Sequence, residues 1–99
     1  MINAVFTKSE KGFGGYEISG HSDYSEQGSD IVCAIVSSAA YLCANLITDA
    51  FDIKADIALD DGYMKVTADA DRLIEGLYRH LLQAQEQYED YINVKISEV

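Results

Sequence analysis

Apolar and polar residues alternate in five short stretches of the chain, which is the pattern of half-buried β-strands. Near the N-terminus Ile2, Ala4 and Phe6 recur at every second position, and a similar spacing returns further along. The dipeptide Asp61-Gly62 separates two of these stretches and is a strong signal for a two-residue hairpin turn. The pattern predicts a first strand over residues 2–7 and later strands over residues 16–20, 55–60, 63–68 and 91–97, with the glycine-rich residues 11–15 as the first turn.

Two longer stretches place apolar residues every three or four positions, which predicts amphipathic helices. The first covers residues 31–49, with Ser29 or Asp30 as its N-cap, and the second covers residues 72–88, with Asp69 or Asp71 in that role. The apolar stripe of the first helix comprises Val32, Ile35, Val36, Ala39, Leu42, Cys43, Leu46 and Ile47. The stripe of the second comprises Leu73, Ile74, Leu77, Tyr78, Leu81 and Tyr88.

The predicted order is therefore ββαββαβ, which indicates one α+β domain over residues 1–99. We expect a two-layer α/β sandwich, in which a mostly antiparallel five-stranded sheet carries both helices on one face. The other face is then open to solvent or to a second copy of the chain.

Composition narrows the class of partner. Hydrophobic residues make up 48 % of the chain, which favours a packed core. The formal net charge of −10, from 7 Lys and Arg against 17 Asp and Glu, disfavours direct binding to nucleic acid. The negative charge either favours a basic partner or serves solubility alone.

The sequence gives no sign of a membrane or secretion segment. We find no apolar run approaching the roughly 20 residues that cross a bilayer, and no pattern of a secretion signal. Two cysteines in such a chain predict free thiols in the cytoplasm.

The segment from Gly20 to Ser37 holds the residues best suited to chemistry. If Asp30 is the N-cap, Cys33 is the third residue of the helix, where unpaired N–H groups favour a thiolate and can bind an oxyanion. The alternative is that Cys33 is a small buried residue, because free cysteine is among the most buried residue types. His21 follows a predicted strand and could activate the thiol, or it could be an ordinary turn residue.

Other polar residues in this segment have two interpretations each. Asp30 either only caps the helix or also orients His21. Ser37 lies one helical turn after Cys33 and either hydrogen-bonds near the thiol or packs. The loop over residues 22–29, which contains Gly28, is either a mobile lid or a surface connection.

The second cysteine and the second histidine have simpler interpretations. Cys43 falls on the apolar stripe and is predicted to be a core residue, whereas His80 is predicted to be a solvated helix residue. The two cysteines form no CxxC pair, and the two histidines with scattered carboxylates make no convincing metal site. We therefore expect neither a metal nor a cofactor.

Gly20-His21, Gly28, the run Asp30-Ile31-Val32-Cys33-Ala34 and Ser37 closely resemble the motif of the bacterial ribosomal-processing cysteine proteases, the Prp family. Ile35 departs from the small residue that often follows the Cys-Ala pair in that family. The resemblance implies a homodimeric Cys/His endopeptidase that removes the N-terminal extension of the twenty-seventh protein of the large ribosomal subunit, cleaving after a pair of aromatic residues. Cys33 would be the nucleophile and His21 the general base, then the general acid. Gly20, Gly28, Asp30, Ala34 and Ser37 match the motif as possible supporting residues.

Two other functions compete with the protease. One is a non-catalytic acidic module that binds a basic ribosomal or other protein. The other is a redox-sensing thiol at Cys33, which would oxidise reversibly without cleaving peptides.

Overall fold

The fold consists of five strands and two helices. The structure is a computed structural model that describes residues 1–20 and 28–99, and for residues 28–30 it describes the backbone only. The strands are β1 (Ile2–Ser9), β2 (Gly12–Gly20), β3 (Ala55–Asp60), β4 (Tyr63–Ala68) and β5 (Ile92–Glu98). The helices are α1 (Gly28–Asn45), which continues into a π-helical turn over Leu46–Ala50, and α2 (Asp71–Gln87).

The sheet has the strand order β3-β4-β2-β1-β5. Three of its four pairings are antiparallel, and the fourth, between β1 and β5, is parallel. The predicted fold class is confirmed, including the mostly antiparallel sheet. The bounds of β3 and β4 agree with the prediction because alternation and the Asp61-Gly62 turn are both local signals.

Two rows of side chains cross the helix-covered face of the sheet. Because residues directly opposite in neighbouring strands point to the same face, the pairings define each row from β5 to β3. One row is Val94, Ala4, Ile18, Met64 and Leu59, and the next is Ile96, Phe6, Tyr16, Val66 and Ile57. The central members of both rows are buried, while Leu59, Ile57 and Ile96 at the ends are exposed.

Each helix is joined to this face by specific contacts. The Tyr16 hydroxyl donates a 2.8 Å hydrogen bond to the carbonyl oxygen of Ala40 on α1. The ring of Tyr78 on α2 packs edge-on against Phe6, with 5.3 Å between ring centroids. Both helices therefore lie on one face of the sheet, as predicted.

The first turn is shorter than predicted. Residues Glu10 and Lys11 form it, and β2 already begins at Gly12. Gly14 and Gly15 therefore belong to a strand. A Cβ atom on Gly15 would lie only 2.6 Å from the carbonyl oxygen of Val66, so glycine here permits close approach of β4 rather than a turn.

Both helices begin earlier than predicted. Asp71 is the first residue of α2, and its carboxylate accepts a 2.7 Å hydrogen bond from the N–H of Phe13 instead of capping the helix. Helix α1 begins at Gly28, so Ser29 and Asp30 are inside its first turn. Apolar periodicity marks only where a buried stripe starts, and polar residues can extend the helix beyond it.

Residues 31–50 are more apolar than the sequence prediction allowed, because by length and composition this helical segment is sufficient to cross a membrane. In the structure it lies against the sheet, with Val32, Val36, Ala40 and Ile47 among its buried residues. The core helix of a soluble protein meets the same criterion.

Candidate active site

Cys33 lies on the second turn of α1, as the sixth residue counted from Gly28. The prediction that placed it in the first turn was therefore wrong. At this position the backbone N–H is used by the helix itself, in the pattern that bonds each N–H to the carbonyl four residues earlier. The N–H groups that a helix start leaves unpaired belong here to Gly28, Ser29 and Asp30.

Cys33 lines a small cavity of about 110 Å³ where α1 passes over the ends of four strands, β1 to β4. The thiol is partly buried, between the closed core and solvent. Ser37 and Tyr41 line the same cavity from the next two turns of the helix. The remaining lining residues come from the sheet and from α1: Ile2, Ile18, Gly20, Val36, Ala40, Asp60, Gly62, Tyr63 and Met64.

Gly20 holds the strand ends together at the rim of this cavity. Its N–H donates to the carbonyl oxygen of Gly62, at 3.1 Å, and its φ of +94° is a conformation that favours glycine. A Cβ atom at this position would collide with the carbonyl oxygen of Met1. Only glycine fits at position 20 without strain, and this position lines the same cavity as Cys33.

Tyr63 lines the cavity from the sheet side, while its ring points to the open face of the sheet, which also carries Glu17. Its hydroxyl donates a 2.6 Å hydrogen bond to Oε2 of Glu17. This bond to a carboxylate is the main reason that the pKa of Tyr63 is raised. The hydroxyl is therefore tied to a carboxylate on the open face of the sheet and does not form a wall of the cavity.

The structure brings some of the predicted site residues together. Cys33, Ser37 and Gly20 line one cavity, which confirms that Cys33 and Ser37 share a face of α1. Ala34 is exposed and is not among the residues that line the cavity. Gly28 is the first residue of α1, so the prediction that it lies in a loop was wrong.

The remaining predictions for this segment concern parts that the structure does not describe. His21 and residues 22–27 of the predicted lid over residues 22–29 lie outside the described residues. The backbone of Asp30 is helical, but its side chain is not among the described parts. Its role in orienting His21 therefore stays a prediction.

Sequence reasoning missed most of the sheet side of the cavity. Tyr41 could have been found, because it lies eight positions after Cys33 and so two turns further along the same face of the helix. Asp60, Tyr63 and Met64 could not, because the β3–β4 hairpin reaches the cavity only through the pairing of β4 with β2.

A larger cavity of about 490 Å³ lies between α1 and α2, and it contains Cys43 and His80 among its lining residues. Cys43 is nevertheless only 5 % exposed, and its thiol donates to the carbonyl oxygen of Leu73 at 3.6 Å. Burial raises the pKa of the Cys43 thiol, which disfavours the thiolate. The predictions of Cys43 as a core residue and of His80 as an exposed helix residue are both confirmed.

The departure at Ile35 does not affect the surroundings of Cys33. Ile35 lines the cavity between the helices, on a different face of α1.

Within residues 1–20 and 31–99, no three His, Cys, Asp or Glu side chains come together as a metal site.

Comparisons with known proteins identify the family. The family model for the cysteine protease Prp matches residues 1–93. The ribosomal processing cysteine protease Prp of Bacillus subtilis (strain 168) is 30 % identical over 107 aligned positions, which cover 95 % of this chain and 96 % of that protein.

Solved structures show the same fold over the whole length. SMU.848 from Streptococcus mutans is 26 % identical, with a TM-score of 0.89 over 100 % of this chain and 96 % of that one. The Prp protease of S. aureus, solved in complex with a covalently linked product peptide, is 24 % identical, with a TM-score of 0.89 over 98 % of this chain and 100 % of that one. Since the family model spans almost the whole chain, and the B. subtilis relative aligns along its length, this chain belongs to the Prp family of ribosomal processing cysteine proteases and is a cysteine protease.

Proposed function

We propose that this chain is the endopeptidase that removes the N-terminal extension of the twenty-seventh protein of the large ribosomal subunit, with Cys33 as nucleophile and His21 as its general base. The observation that carries the proposal is that Cys33, and not Cys43, lines a cavity at the strand ends. Gly20, which directly precedes His21 in the sequence, lines the same cavity. The relative from B. subtilis is named for ribosomal processing, which supports the class of substrate.

The reaction proceeds through a thioester. The Cys33 proton passes to His21, and Sγ attacks the scissile carbonyl carbon, so that a C–S bond forms and the carbonyl becomes an oxyanion. The oxyanion collapses as the C–N bond breaks, and His21 gives its proton to the leaving amine. Water then loses a proton to His21 and its oxygen adds to the thioester carbon. The C–S bond breaks, His21 returns the proton to Sγ, and the released carboxylic acid ionises to solvent.

Helix α1 limits which groups can hold the oxyanion. Because Cys33 lies on the second turn, its own N–H is engaged in the helix. Oxyanion donors from α1 would therefore be the N–H groups of Gly28, Ser29 and Asp30. Ser37, which shares the cavity with Cys33, is one turn away and is suited to position the thiol rather than to exchange protons with the substrate.

Two observations support a peptide substrate. The related S. aureus protease has been solved with a substrate peptide and with a covalently linked product peptide, and it shares the fold of this chain. The net charge of −10 would attract a basic ribosomal protein by electrostatic steering.

Cleavage of the ribosomal protein carrying its extension tests the proposal. The purified chain should release the extension, as measured by mass spectrometry, whereas Cys33→Ala and His21→Ala should each slow cleavage by on the order of 10³-fold or more. Cys43→Ala and His80→Ala are matched controls on the same chain and should retain cleavage. Intact substrate after prolonged incubation with the unmodified chain would refute the proposal, as would undiminished cleavage by Cys33→Ala or His21→Ala.

We also propose that the chain acts as a homodimer in the cytoplasm. Leu42, 60 % exposed, and Ile31 are exposed apolar residues of α1, and Leu42 also lines the cavity between the helices. The open face of the sheet instead carries Glu17, Lys65 and Lys95. Apolar residues are more typical of the centre of a homodimer interface, so the exposed apolar surface of α1 is the better candidate. Two free thiols are consistent with a reducing compartment. Leu42→Asp should convert a dimer into a monomer in analytical ultracentrifugation.

A further inference from the structure

Strand β3 extends the apolar surface of the active-site cavity beyond the cover of the helices. Leu59 lies opposite Met64, which lines the cavity with Cys33, and Ile57 lies opposite Val66. Directly opposite residues point to the same face, so Leu59 and Ile57 point to the helix side of the sheet. Met64 and Val66 are buried there, yet Leu59 is 56 % exposed and Ile57 is 42 % exposed.

The backbone of β3 is also available for pairing. Within the described part of the chain, β3 is the edge strand of the sheet and pairs with β4 alone. A two-residue hairpin loop closes on a hydrogen-bonded pair, here Asp60 and Tyr63, and such pairs alternate along an antiparallel ladder. The N–H and C=O groups of Ile57 and Leu59 therefore point outward, away from β4.

A side chain from α2 protects the opposite edge of the sheet, which is β5. On β5, the N–H of Val94 donates a 2.6 Å hydrogen bond to Oε1 of Gln85, a side chain from α2. Proteins commonly cover sheet edges because an uncovered edge is a template for another strand. Among residues 1–20 and 31–99, no side chain makes a corresponding bond to the outward groups of β3.

The charges on β3 indicate what kind of strand would bind. Both charged residues of the strand, Asp56 and Asp60, are acidic and exposed, and Asp61 follows in the turn. The basic neighbour on β4, Lys65, lies directly opposite Glu17 on its other side, which offsets its charge. An incoming strand with lysine or arginine would complement this edge.

We propose that β3 is the docking edge for the substrate, which binds as an additional strand with two alternating apolar side chains on Ile57 and Leu59 and with basic residues facing the aspartates. The inference rests on the proposed function, because it locates the substrate of the same site. Asp60, at the end of β3, lines the cavity that holds Cys33, so the edge leads to the nucleophile. At about 3.3 Å per residue, Ile57 and Asp60 are roughly 10 Å apart, and the docked residues lie within a few positions of the scissile bond.

Substitution of Leu59 tests the side-chain part of this inference. With a synthetic peptide that spans the cleavage site of the extension, Leu59→Asp should raise KM by about 10- to 200-fold and change kcat little, because an apolar contact supports binding rather than the chemical step. Ile96→Asp is the matched control, since Ile96 is 37 % exposed on the opposite edge strand and points to the same face. It should leave both constants unchanged.

Backbone N-methylation of the peptide tests the pairing without changing the protein. Each peptide N–H is methylated in turn, and binding to the full chain carrying Cys33→Ala is measured by fluorescence polarisation. Only every second N–H of a paired strand faces its neighbour, so affinity should fall at alternating positions. A flat profile would overturn the inference, and it would do so even if Leu59→Asp fails to fold.

The two proposals fail in distinguishable ways. If the unmodified chain cleaves the ribosomal protein but Leu59→Asp has an unchanged KM, β3 is not the docking edge and the proposed function stands. If no cleavage occurs, but the Cys33→Ala chain binds the peptide with alternating sensitivity to methylation and Leu59→Asp in that chain weakens the binding, docking on β3 stands and the proposed function does not.

Discussion

Cys33 and Cys43 lie on the same helix, ten positions apart, but line two different cavities. The helix turns by about 100° per residue, so ten positions are not a whole number of turns and the two thiols point to different sides. Cys33 lies over the strand ends, whereas Cys43 lies between the helices. This division of one helix separates a candidate nucleophile from a core residue.

Thiol labelling should distinguish the two cysteines. We expect iodoacetamide to modify Cys33 at least tenfold faster than Cys43 in the folded protein, because Cys43 is 5 % exposed and burial raises the pKa of its thiol. Mass spectrometry of the digested protein gives both rates. Equal rates in the folded chain would contradict this assignment, and equal rates in urea serve as the control.

Stability should fall as the pH rises into the alkaline range. Burial is the main cause that raises the pKa of both Tyr16 and Cys43 in the folded state. The unfolded chain therefore ionises first, so the stabilisation is complete below the unfolded pKa values, about 8.5 for the thiol and about 10 for the phenol, and is lost as the pH rises above them. Urea unfolding between pH 7 and pH 11 should show this decline.

Tyr16→Phe is the control for the alkaline effect. At neutral pH the variant should lose about 1 kcal/mol, since the carbonyl oxygen of Ala40 loses its hydrogen bond from Tyr16. Above pH 10 its stability should decline less steeply than that of the unmodified chain. An equally steep decline would show that Tyr16 is not responsible.

Gly20→Ala should destabilise the chain by about 1–3 kcal/mol and reduce cleavage. The positive φ strains any side chain, and the added Cβ would displace the carbonyl of Met1 at the rim of the Cys33 cavity. Gly76→Ala is a suitable control, because Gly76 lies in α2 with no atom within 4 Å of the added Cβ. That change should stabilise the chain by about 0.5–1 kcal/mol in thermal unfolding. A loss of stability at Gly76 comparable to that at Gly20 would contradict this reasoning.

Gln85→Ala should expose the protected edge of the sheet. The N–H of Val94 loses its only side-chain acceptor in the described part of the chain, at a cost of about 1–3 kcal/mol. We expect lower stability and a tendency to associate at high concentration, measured by chemical unfolding and light scattering. Gln83→Ala, on an exposed position of the same helix, should change neither property.

The strands and helices could largely be predicted from the sequence because their signals are local. Apolar and polar residues alternate in Ala55–Asp60 and Tyr63–Ala68, and Asp61-Gly62 joins the two stretches. This pattern predicted the first and last residues of both hairpin strands correctly. The start of α1 was misplaced because Gly28, Ser29 and Asp30 carry no apolar stripe. Gly15 was assigned to a turn because the close approach of Val66 depends on a strand that is distant in sequence.

By itself, the sequence determined the order of the elements, the apolar faces of both helices, and Cys33 with His21 as the candidate chemistry. The tertiary structure decided which side chains surround the thiol and which edge of the sheet is open. It brought Tyr63, Gly62 and Met64 to the cavity of Cys33. Among the described residues, it left the edge of β3 without a covering side chain, while Gln85 covers β5. The physical reason is that hydrogen-bonded register and helix placement depend on contacts between distant segments, whereas alternation and helical periodicity are properties of neighbouring residues.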